Sequence, residues 1–359
     1  MRIAVLGVGL IGGSIGLAAR ARLGAEVAGF DPDADLLTRA AELDAIDSKH
    51  RSVAEAVQGA EIVFCAAPVA ALPKLAGEAL EASSDEAAIT DVGSVKTDLV
   101  AGLGGEERFI GGHPLAGAET SGVENARADL FEGARWYLTP TERTGGLLYD
   151  RVQRAVAELG ARPQAIEAEA HDRLMATVSH LPHVLANVLV EQAATAANEE
   201  AERLPEVGPS FRDATRVAGA NPAIWGDIFA GNREAVAAEL DAVAERLAEA
   251  AKLLRGAGAD EVEAWHAEAG RRRRELLEAE LAGGPLHELR VMVPNRPGIV
   301  AELALALGRA GVNIEDMALY PAADMTSGAI SLYVAGDEEA DRAAELVSRL
   351  GHDVSRVER

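Results

Sequence analysis

Arg2-Ile-Ala-Val-Leu-Gly-Val-Gly-Leu-Ile-Gly-Gly-Ser14 begins as an apolar strand, passes through a glycine-rich turn and leads into an alanine- and leucine-rich helix. The first glycine permits a tight turn, the second lets the backbone approach a pyrophosphate, and the third allows close packing of helix on strand. The helix N-terminus favours phosphate charge. We therefore expect a dinucleotide-binding turn, although these glycines could simply shape a turn in a doubly wound domain. The predicted cofactor contacts are Gly7, Gly9, Leu10, Ile11 and Gly12.

An acidic residue and two further turns complete the predicted cofactor site. The second strand, Glu26 to Phe30, ends at Asp31. Its carboxylate can accept hydrogen bonds from both ribose hydroxyls and would repel a 2′-phosphate, which favours NAD over NADP. Pro68, just beyond a third strand, and Gly93, in the turn Asp91-Val-Gly-Ser-Val-Lys96, are expected beside the same cofactor.

The alternation of strands and helices predicts the domain organisation. It continues to about residue 167, as a mostly parallel sheet requires. The pattern is then helical until Gly283-Gly-Pro285 marks a linker, beyond which the elements follow a βαββαβ order. The predicted fold is an α/β Rossmann domain (1–167), an all-helical substrate and dimerisation domain (168–283) and a C-terminal α+β domain (286–359).

Composition excludes several classes of partner. The net charge of −24 over 359 residues makes nucleic acid and anionic membrane surfaces poor partners. The single cysteine, Cys65, excludes a disulfide within the chain and lies in an apolar run that predicts a buried thiol. No secretory signal precedes the first strand, and no apolar run reaches the roughly 18 residues of a membrane span. We expect a cytoplasmic protein.

The predicted chemistry lies in Gly111-Gly-His-Pro-Leu-Ala-Gly-Ala-Glu-Thr-Ser-Gly122. Its glycines and proline predict a loop that follows a buried strand ending at Ile110. Ligands bind at this edge of open α/β sheets. His113 could accept a proton there near neutral pH. Alternatively, it is a structural histidine that makes the loop rigid.

Two polar residues precede the next predicted helix. Ser94 lies in a turn at the neighbouring strand end, from which its hydroxyl could orient the imidazole of His113. It could equally be the N-cap of the following helix, and the two roles are compatible. We interpret Lys96 as an ordinary first-turn lysine in preference to a contact with an anionic substrate.

The helical region carries a histidine pair. Apolar residues at steps of three and four predict one long helix, kinked at Pro182, with His180 and His183 on one face. No third Cys, Asp or Glu has ligand spacing to this pair, so we predict no metal site. One of the two histidines is expected to point into the cleft that faces the nicotinamide.

Residues 211–216, Phe-Arg-Asp-Ala-Thr-Arg, resemble a carboxylate clamp. Arg212, Thr215 and Arg216 have the spacing of one side of a helix. Two guanidiniums with Trp225 nearby predict bidentate recognition of a carboxylate on a planar substrate. The alternative for Arg212 is an ion pair on the surface.

The whole chain resembles prephenate dehydrogenases that carry a C-terminal ACT domain. The resemblance rests on GVGLIGGS with Asp31, DVGSVK, GGHPLAG, SHLPH, FRDATR and VPNRPGIVAEL. It implies that His113 is the catalytic histidine, that Ser94 orients it, and that Arg216 and His183 bind substrate. Similar proteins often carry Thr or Ser where this chain has Ala118, a polar contact that Thr120 could supply. The predicted substrate contacts are Arg216, His183, Arg212, Thr120 and Trp225.

The resemblance also implies the reaction. It is the NAD-dependent oxidative decarboxylation of prephenate to 4-hydroxyphenylpyruvate, in tyrosine biosynthesis, by a homodimer formed through the helical domains. Arogenate is the alternative substrate, and Glu119 could pair with its amine. A distant alternative is a non-enzymatic sensor that binds NAD and an amino acid.

The C-terminal domain is predicted to be regulatory, with tyrosine or phenylalanine as the effector. The turn at Asn295 to Gly298 opens a helix N-terminus, whose free backbone N–H groups favour a carboxylate. The predicted effector contacts are Asn295, Pro297, Gly298 and Asn313. Alternatively, this domain only buries surface and supports the dimer.

Overall fold

Short runs of three to six residues form the strands of the first sheet in the computed structural model. The structure describes residues 1–103, 106–116, 122–200, 207–278, 285–294, 296, 299–322 and 326–357. The strands are β1 (Arg2–Leu6), β2 (Glu26–Phe30), β3 (Ser48–His50), β4 (Ile62–Cys65), β5 (Ala88–Asp91), β6 (Phe109–Pro114), β7 (Arg135–Thr139) and β8 (Arg162–Ala165). They belong to a compact unit, Met1–Arg246, and a second unit comprises Leu247–Arg359.

The strand order of the first sheet is β3-β2-β1-β4-β5-β6-β7-β8. Neighbours are parallel except for β6 and β7, which are antiparallel. The first six strands therefore have the order of a doubly wound dinucleotide-binding fold, and the predicted α/β class is confirmed. The helices that accompany them are α1 (Leu10–Ala18), α2 (Ala34–Glu42), α3 (Val53–Ala56), α4 (Leu72–Ala82), α5 (Thr97–Leu103) and α6 (Gly146–Glu158).

Alternation along β1 builds a core on each face of the sheet. Ile3 and Val5 pack into one apolar cluster, whereas Ala4 and Leu6 pack into the other. Cys65 is fully buried in the second cluster, as predicted, and burial raises the pKa of its thiol. Helices on both faces exclude water from the sheet, so its ligand-binding edge is the one at the strand ends.

The prediction of a loop over Gly111–Pro114 is wrong, because these residues continue β6. Gly112 and His113 pair with Leu138 and Tyr137 of β7. A Cβ at Gly112 would lie 2.5 Å from the carbonyl oxygen of Asp91, so only glycine allows the strands to approach this closely. His113 is therefore held on a buried strand, which fixes its position more firmly than a loop would.

A long helical segment follows the sheet. It consists of α7 (Ala168–Met175), a wider π turn (Ala176–His180) and α8 (Leu181–Glu200). The π turn ends two residues before Pro182, which lacks an N–H and disturbs the preceding turn. The kink at Pro182 stays a prediction. The remaining helices are α9 (Pro209–Thr215), α10 (Pro222–Gly231), α11 (Arg233–Gly256) and α12 (Ala259–Glu278).

The second unit contains the predicted βαββαβ fold. Its elements are β9 (Leu286–Pro294), α13 (Ile299–Arg309), β10 (Asp316–Pro321), β11 (Ser327–Ala335), α14 (Asp337–Arg349) and β12 (Asp353–Arg356). The antiparallel sheet has the order β10-β11-β9-β12. Leu289, Val291 and Val293 alternate along β9 and pack on α13 and α14 through Leu303 and Val347. The unit thus has a core of its own.

Candidate active site

A cavity of about 380 Å³ lies at the ends of β1, β2 and β4, lined by Gly7, Asp31 and Pro68 among others. Gly7 has a φ of +97°, which favours glycine. Gly9 is the N-cap of α1, and no atom lies within 4 Å of where its Cβ would be. Open space before a helix N-terminus suits a phosphate, so this region fits a dinucleotide.

The other predicted cofactor residues occupy the same sheet edge. Asp31 accepts hydrogen bonds from the backbone N–H of Val8 (3.0 Å) and Asp33 (2.9 Å), which hold its carboxylate beside the glycine turn. Leu10, Ile11 and Gly12 form the first turn of α1. Gly93 follows β5 and donates its N–H to the Asp91 carboxylate (2.8 Å).

His113 is 9% exposed and is anchored on one side by a second histidine. Its Nδ1 shares a hydrogen bond with Nε2 of His171 (2.8 Å). His171 is fully buried, and its ring lies edge-on to His113 and to Tyr137, with centroids 5.0 and 5.5 Å apart. The contact occupies Nδ1, so Nε2 is the nitrogen left to meet a substrate.

A carboxylate anchors His171 in turn. Nδ1 of His171 contacts Oδ1 of Asp172 (2.8 Å). The same carboxylate accepts the backbone N–H groups of Lys96 and Thr97, both at 2.8 Å, and so caps α5. Asn232 donates from Nδ2 to the main-chain oxygen of Asp172 (2.8 Å). The chain His113–His171–Asp172 thus links β6 to α7, α5 and the start of α11.

The electrostatics of this chain keep His113 neutral. Burial, and the charges of His171, Lys96 and His180, hold the pKa of His113 well below its ordinary value. Burial alone would raise the pKa of Asp172, but hydrogen bonds from His171, Thr97 and Lys96 outweigh it and lower that pKa. The neutral imidazole of His113 is therefore linked through His171 to an ionised carboxylate, an arrangement suited to general-base chemistry.

Three predictions for the turn after β5 need correction. His171, not Ser94, makes the orienting contact with Nδ1 of His113. Ser94 is not the N-cap of α5 either, because the helix begins at Thr97 and Asp172 takes the N–H groups there. Lys96 is fully buried and forms an ion pair with Asp91, so it is neither an ordinary first-turn lysine nor exposed to a substrate.

A second cluster contains the histidines of α8. The His183 ring stacks on Trp225 with centroids 3.4 Å apart, and His180 meets the same indole edge-on at 5.9 Å. Asn232 Nδ2 contacts Nδ1 of His180 at 3.1 Å, which joins this cluster to Asp172. Within the described ranges, no group of three or more His, Cys, Asp or Glu is arranged to hold a metal.

These histidines are held neutral as well. Burial lowers the pKa of His180 to about 4, and burial together with the charge of Arg216 lowers that of His183. Arg216 therefore lies close to His183, as the prediction of a shared substrate site requires. The structure brings His183, Trp225 and Arg216 into one neighbourhood.

The remaining predicted contacts are not brought into this cluster. Arg212 donates to the Val207 carbonyl (2.8 Å), and Thr215 donates to Phe211 in its own helix (2.6 Å). Arg216 is the C-cap of α9 and begins a tighter 3₁₀ turn, so Arg212 and Thr215 alone lie within the α-helix itself. Thr120, Asn295, Pro297 and Gly298 lie outside the described residues, and Asn313 bonds to Glu315 (2.7 Å).

Sequence reasoning missed His171, Asp172 and Asn232. His171 and Asp172 adjoin on a helix, 58 residues after His113, with no motif spacing that connects them. A general base usually needs a partner on its second nitrogen, and this requirement could have prompted a search for another histidine. Asn232 lies between two helices, so the sequence predicts only an ordinary helix cap there.

The fold and this site together define a dehydrogenase with a Rossmann-type nucleotide-binding domain. Three family models match: "Prephenate dehydrogenase, nucleotide-binding domain" over 15–165, "Prephenate dehydrogenase, dimerization domain" over 167–268, and "ACT domain" over 287–352. The chain belongs to the prephenate dehydrogenase family.

Individual relatives agree. Prephenate dehydrogenase of Bacillus subtilis is 29% identical, and the alignment covers 96% of this chain and 95% of that protein. The Aquifex aeolicus prephenate dehydrogenase, solved with hydroxyphenyl propionate and NAD+, is 31% identical with a TM-score of 0.72, covering 77% of this chain and 98% of that one. Synechocystis arogenate dehydrogenase is 28% identical with a TM-score of 0.65, and the match covers 77% of this chain and 100% of that one.

Proposed function

We propose that the protein is an NAD-dependent prephenate dehydrogenase of tyrosine biosynthesis, which converts prephenate to 4-hydroxyphenylpyruvate, carbon dioxide and NADH. The observation that carries the proposal is the buried His113, whose Nδ1 is tied to His171 and whose pKa is lowered. A non-enzymatic sensor would not need such a base. The membership of the family supports the same reaction.

The residues at the strand ends fit NAD. Gly9 leaves open space for the pyrophosphate before α1, Gly7 lets the turn pass close to Ala66, and Asp31, which lines the cavity, is proposed to bind the ribose. Pro68 lines the same cavity. Leu10, Ile11 and Gly12, in the first turn of α1, and Gly93, after β5, are proposed as further contacts of the cofactor. When bound, NAD accepts the hydride that leaves the carbinol carbon of the substrate.

His113 performs the proton chemistry. Its Nε2 takes the proton of the carbinol hydroxyl as the hydride leaves and a carbonyl forms. The bond to the ring carboxylate then breaks, carbon dioxide departs, and its bonding electrons make the ring aromatic. The resulting phenolate can recover the proton from His113, which returns the imidazole to its neutral form.

Arg216 and His183 are proposed to hold the substrate. A guanidinium that binds a carboxylate fixes the carbinol hydrogen relative to the nicotinamide, and such positioning contributes much of an enzyme's acceleration. Trp225, stacked on His183, holds that imidazole in place. Ser94 is proposed as a contact on the substrate side, while Arg212 and Thr120 remain predictions from the sequence.

The choice of substrate is tested by measuring NADH formation with prephenate and arogenate side by side, with identification of the product. We expect turnover with prephenate. A strong preference for arogenate would favour the alternative, for which the Synechocystis arogenate dehydrogenase is a structural precedent. No NADH with either compound would contradict the proposal.

Assembly and control are also proposed. We expect a homodimer, because α8 exposes Val188, Leu189 and Val190 in a region that matches a dimerization domain. Tyrosine or phenylalanine is the proposed effector of the ACT domain. Loss of activity or a raised melting temperature with tyrosine would support this, and no response to either amino acid would refute it. The proposed boundaries of the three domains are 1–167, 168–283 and 286–359.

No helix in the described part of the chain is long and apolar enough to cross a membrane. A cytoplasmic location remains a prediction from the sequence.

A further inference from the structure

We propose that His171 and Asp172 are positioning residues, which hold His113 in the tautomer that carries its proton on Nδ1 and leaves the Nε2 lone pair free. The inference rests on the proposed role of His113 as the base. It assigns a function to two buried polar residues, His171 and Asp172, which the fold by itself does not require.

The hydrogen-bond chain sets the tautomer. The ionised carboxylate of Asp172 can only accept, so the contact at 2.8 Å requires a proton on Nδ1 of His171. In neutral His171, Nε2 is then unprotonated and must accept at its own contact of 2.8 Å. The proton in that contact belongs to Nδ1 of His113. Its Nε2 is consequently a bare acceptor, which is the form a general base needs.

Packing keeps the chain from rearranging. His171 is fully buried and its ring lies edge-on to Tyr137, so a turn of the ring would break both hydrogen bonds without access to water. Asp172 cannot rotate freely either, because its two oxygens also accept the N–H groups of Lys96 and Thr97. Asn232 holds the main chain of Asp172 from a third direction.

The chain also offsets the charge that the reaction creates. His113 becomes an imidazolium when it takes the hydroxyl proton, and burial opposes this together with the charges of His171, Lys96 and His180. Lys96 is itself paired with Asp91. His171 can share the positive charge through its hydrogen bond, and it lies directly against the carboxylate of Asp172. The imidazolium is thereby stabilised inside a buried site.

A purely structural role is the rival explanation, since Asp172 caps α5. The variant Asp172→Asn distinguishes the positioning role from the structural role. With its amide nitrogen in the place of Oδ1, asparagine can donate to Nδ1 of His171. Its oxygen, in the place of Oδ2, can still accept the N–H of Thr97, while the N–H of Lys96 loses its acceptor. The tautomers of both histidines would then reverse, with the proton of His113 on Nε2.

We expect Asp172→Asn to lower kcat by roughly 10²- to 10⁴-fold, the worth of a correctly protonated base, with KM little changed and a melting temperature lowered by the lost acceptor for the N–H of Lys96. Glu169→Gln is the matched control, because it removes one charge from the same helix at a side chain that is 76% exposed. Histidine labelled with ¹⁵N reports the tautomer directly, and His113→Asn assigns its signals. Wild-type His113 should carry its proton on Nδ1.

His171 variants give a second measurement if Asp172→Asn fails to fold. His171→Gln retains an acceptor for Nδ1 of His113 and should keep kcat within about 10-fold of wild type, whereas His171→Leu should lose roughly 10²-fold or more. A proton on Nε2 of wild-type His113, or equal kcat values for His171→Gln and His171→Leu, would overturn the inference. If His113→Asn itself stayed active, the proposed base would fail instead.

Discussion

The imidazole of His183 lies flat on the indole of Trp225, with ring centroids 3.4 Å apart and planes 24° from parallel. Arg216 is close enough to lower the pKa of that imidazole. The stack therefore fixes one wall of the neighbourhood in which the substrate carboxylate is proposed to bind.

Replacement of Trp225 should weaken substrate binding more than chemistry. Trp225→Leu removes the stack, and we expect KM to rise about 3- to 10-fold, because such ring pairs contribute about 0.5–1.5 kcal/mol. The value of kcat should change less. Trp225→Phe keeps an aromatic face and serves as the control. A large fall in kcat with unchanged KM would instead place Trp225 at the reacting centre.

Removal of the base should slow the reaction without releasing the cofactor. We expect His113→Asn to lower kcat by roughly 10²–10⁴-fold, since that is the usual contribution of a positioned base. NAD binding, followed by fluorescence titration, should stay near wild type because His113 is not among the residues of the cofactor cavity. Turnover close to wild type would remove His113 from its proposed role.

Asp31 should control both cofactor choice and the glycine turn. Asp31→Ser removes the charge that repels a 2′-phosphate, so the ratio of kcat/KM for NAD over NADP should fall. The variant also loses the acceptor for the N–H of Val8, and we expect about 1–3 kcal/mol lower stability. Chemical denaturation measures the second effect. Equal use of both cofactors by the native enzyme would show that Asp31 does not select between them.

Gly112 should tolerate no side chain. A Cβ there would meet the Asp91 carbonyl at 2.5 Å and Thr90 Oγ1 at 2.7 Å, so Gly112→Ala should displace β6 and with it His113. We expect both melting temperature and kcat to drop. Gly77→Ala, in α4 with nothing within 4 Å, should leave activity intact and raise stability by about 0.4–1 kcal/mol. Equal stability of the two variants would show that β6 can adjust.

Stability should fall as the pH drops below about 6.5. His180 has a folded pKa of about 4, below its unfolded value, so the unfolded state binds more protons between these limits. At pH 5 this costs about 2 kcal/mol relative to pH 7. His180→Gln should reduce the difference in unfolding free energy between these two pH values. The idea fails if that difference is the same in variant and wild type.

The sequence predicts local geometry well where one short stretch determines it. The glycine turn with Asp31, the alternation of strands and helices, and the βαββαβ unit all follow from spacing within about 30 residues. The loop predicted over Gly111 to Pro114 is wrong because glycine and proline usually end strands, whereas here Gly111 and Gly112 let β6 lie close to Thr139 of β7 and Asp91 of β5. Such pairing depends on a neighbouring strand, and the spacing of residues along the sequence does not identify that strand.

Side chains that act through tertiary contacts were harder to predict. His171 and Asp172 become partners of His113 only because α7 packs against β6 and α5, and neither residue belongs to a motif. Lys96 likewise looks solvated in a first turn but pairs with Asp91 inside the protein. Polar residues are buried only when partners come from elsewhere in the chain, and a single sequence does not specify those partners.

Asp172 caps α5 of the nucleotide-binding part while it belongs to α7 of the helical part. One carboxylate therefore interlocks two pieces of chain that could otherwise evolve as separate modules. A nucleotide-binding part cut before α7 would keep its sheet and its cofactor cavity, but its histidine would have no partner to direct its proton. In this architecture the helical part makes the base competent, in addition to providing a surface for the substrate.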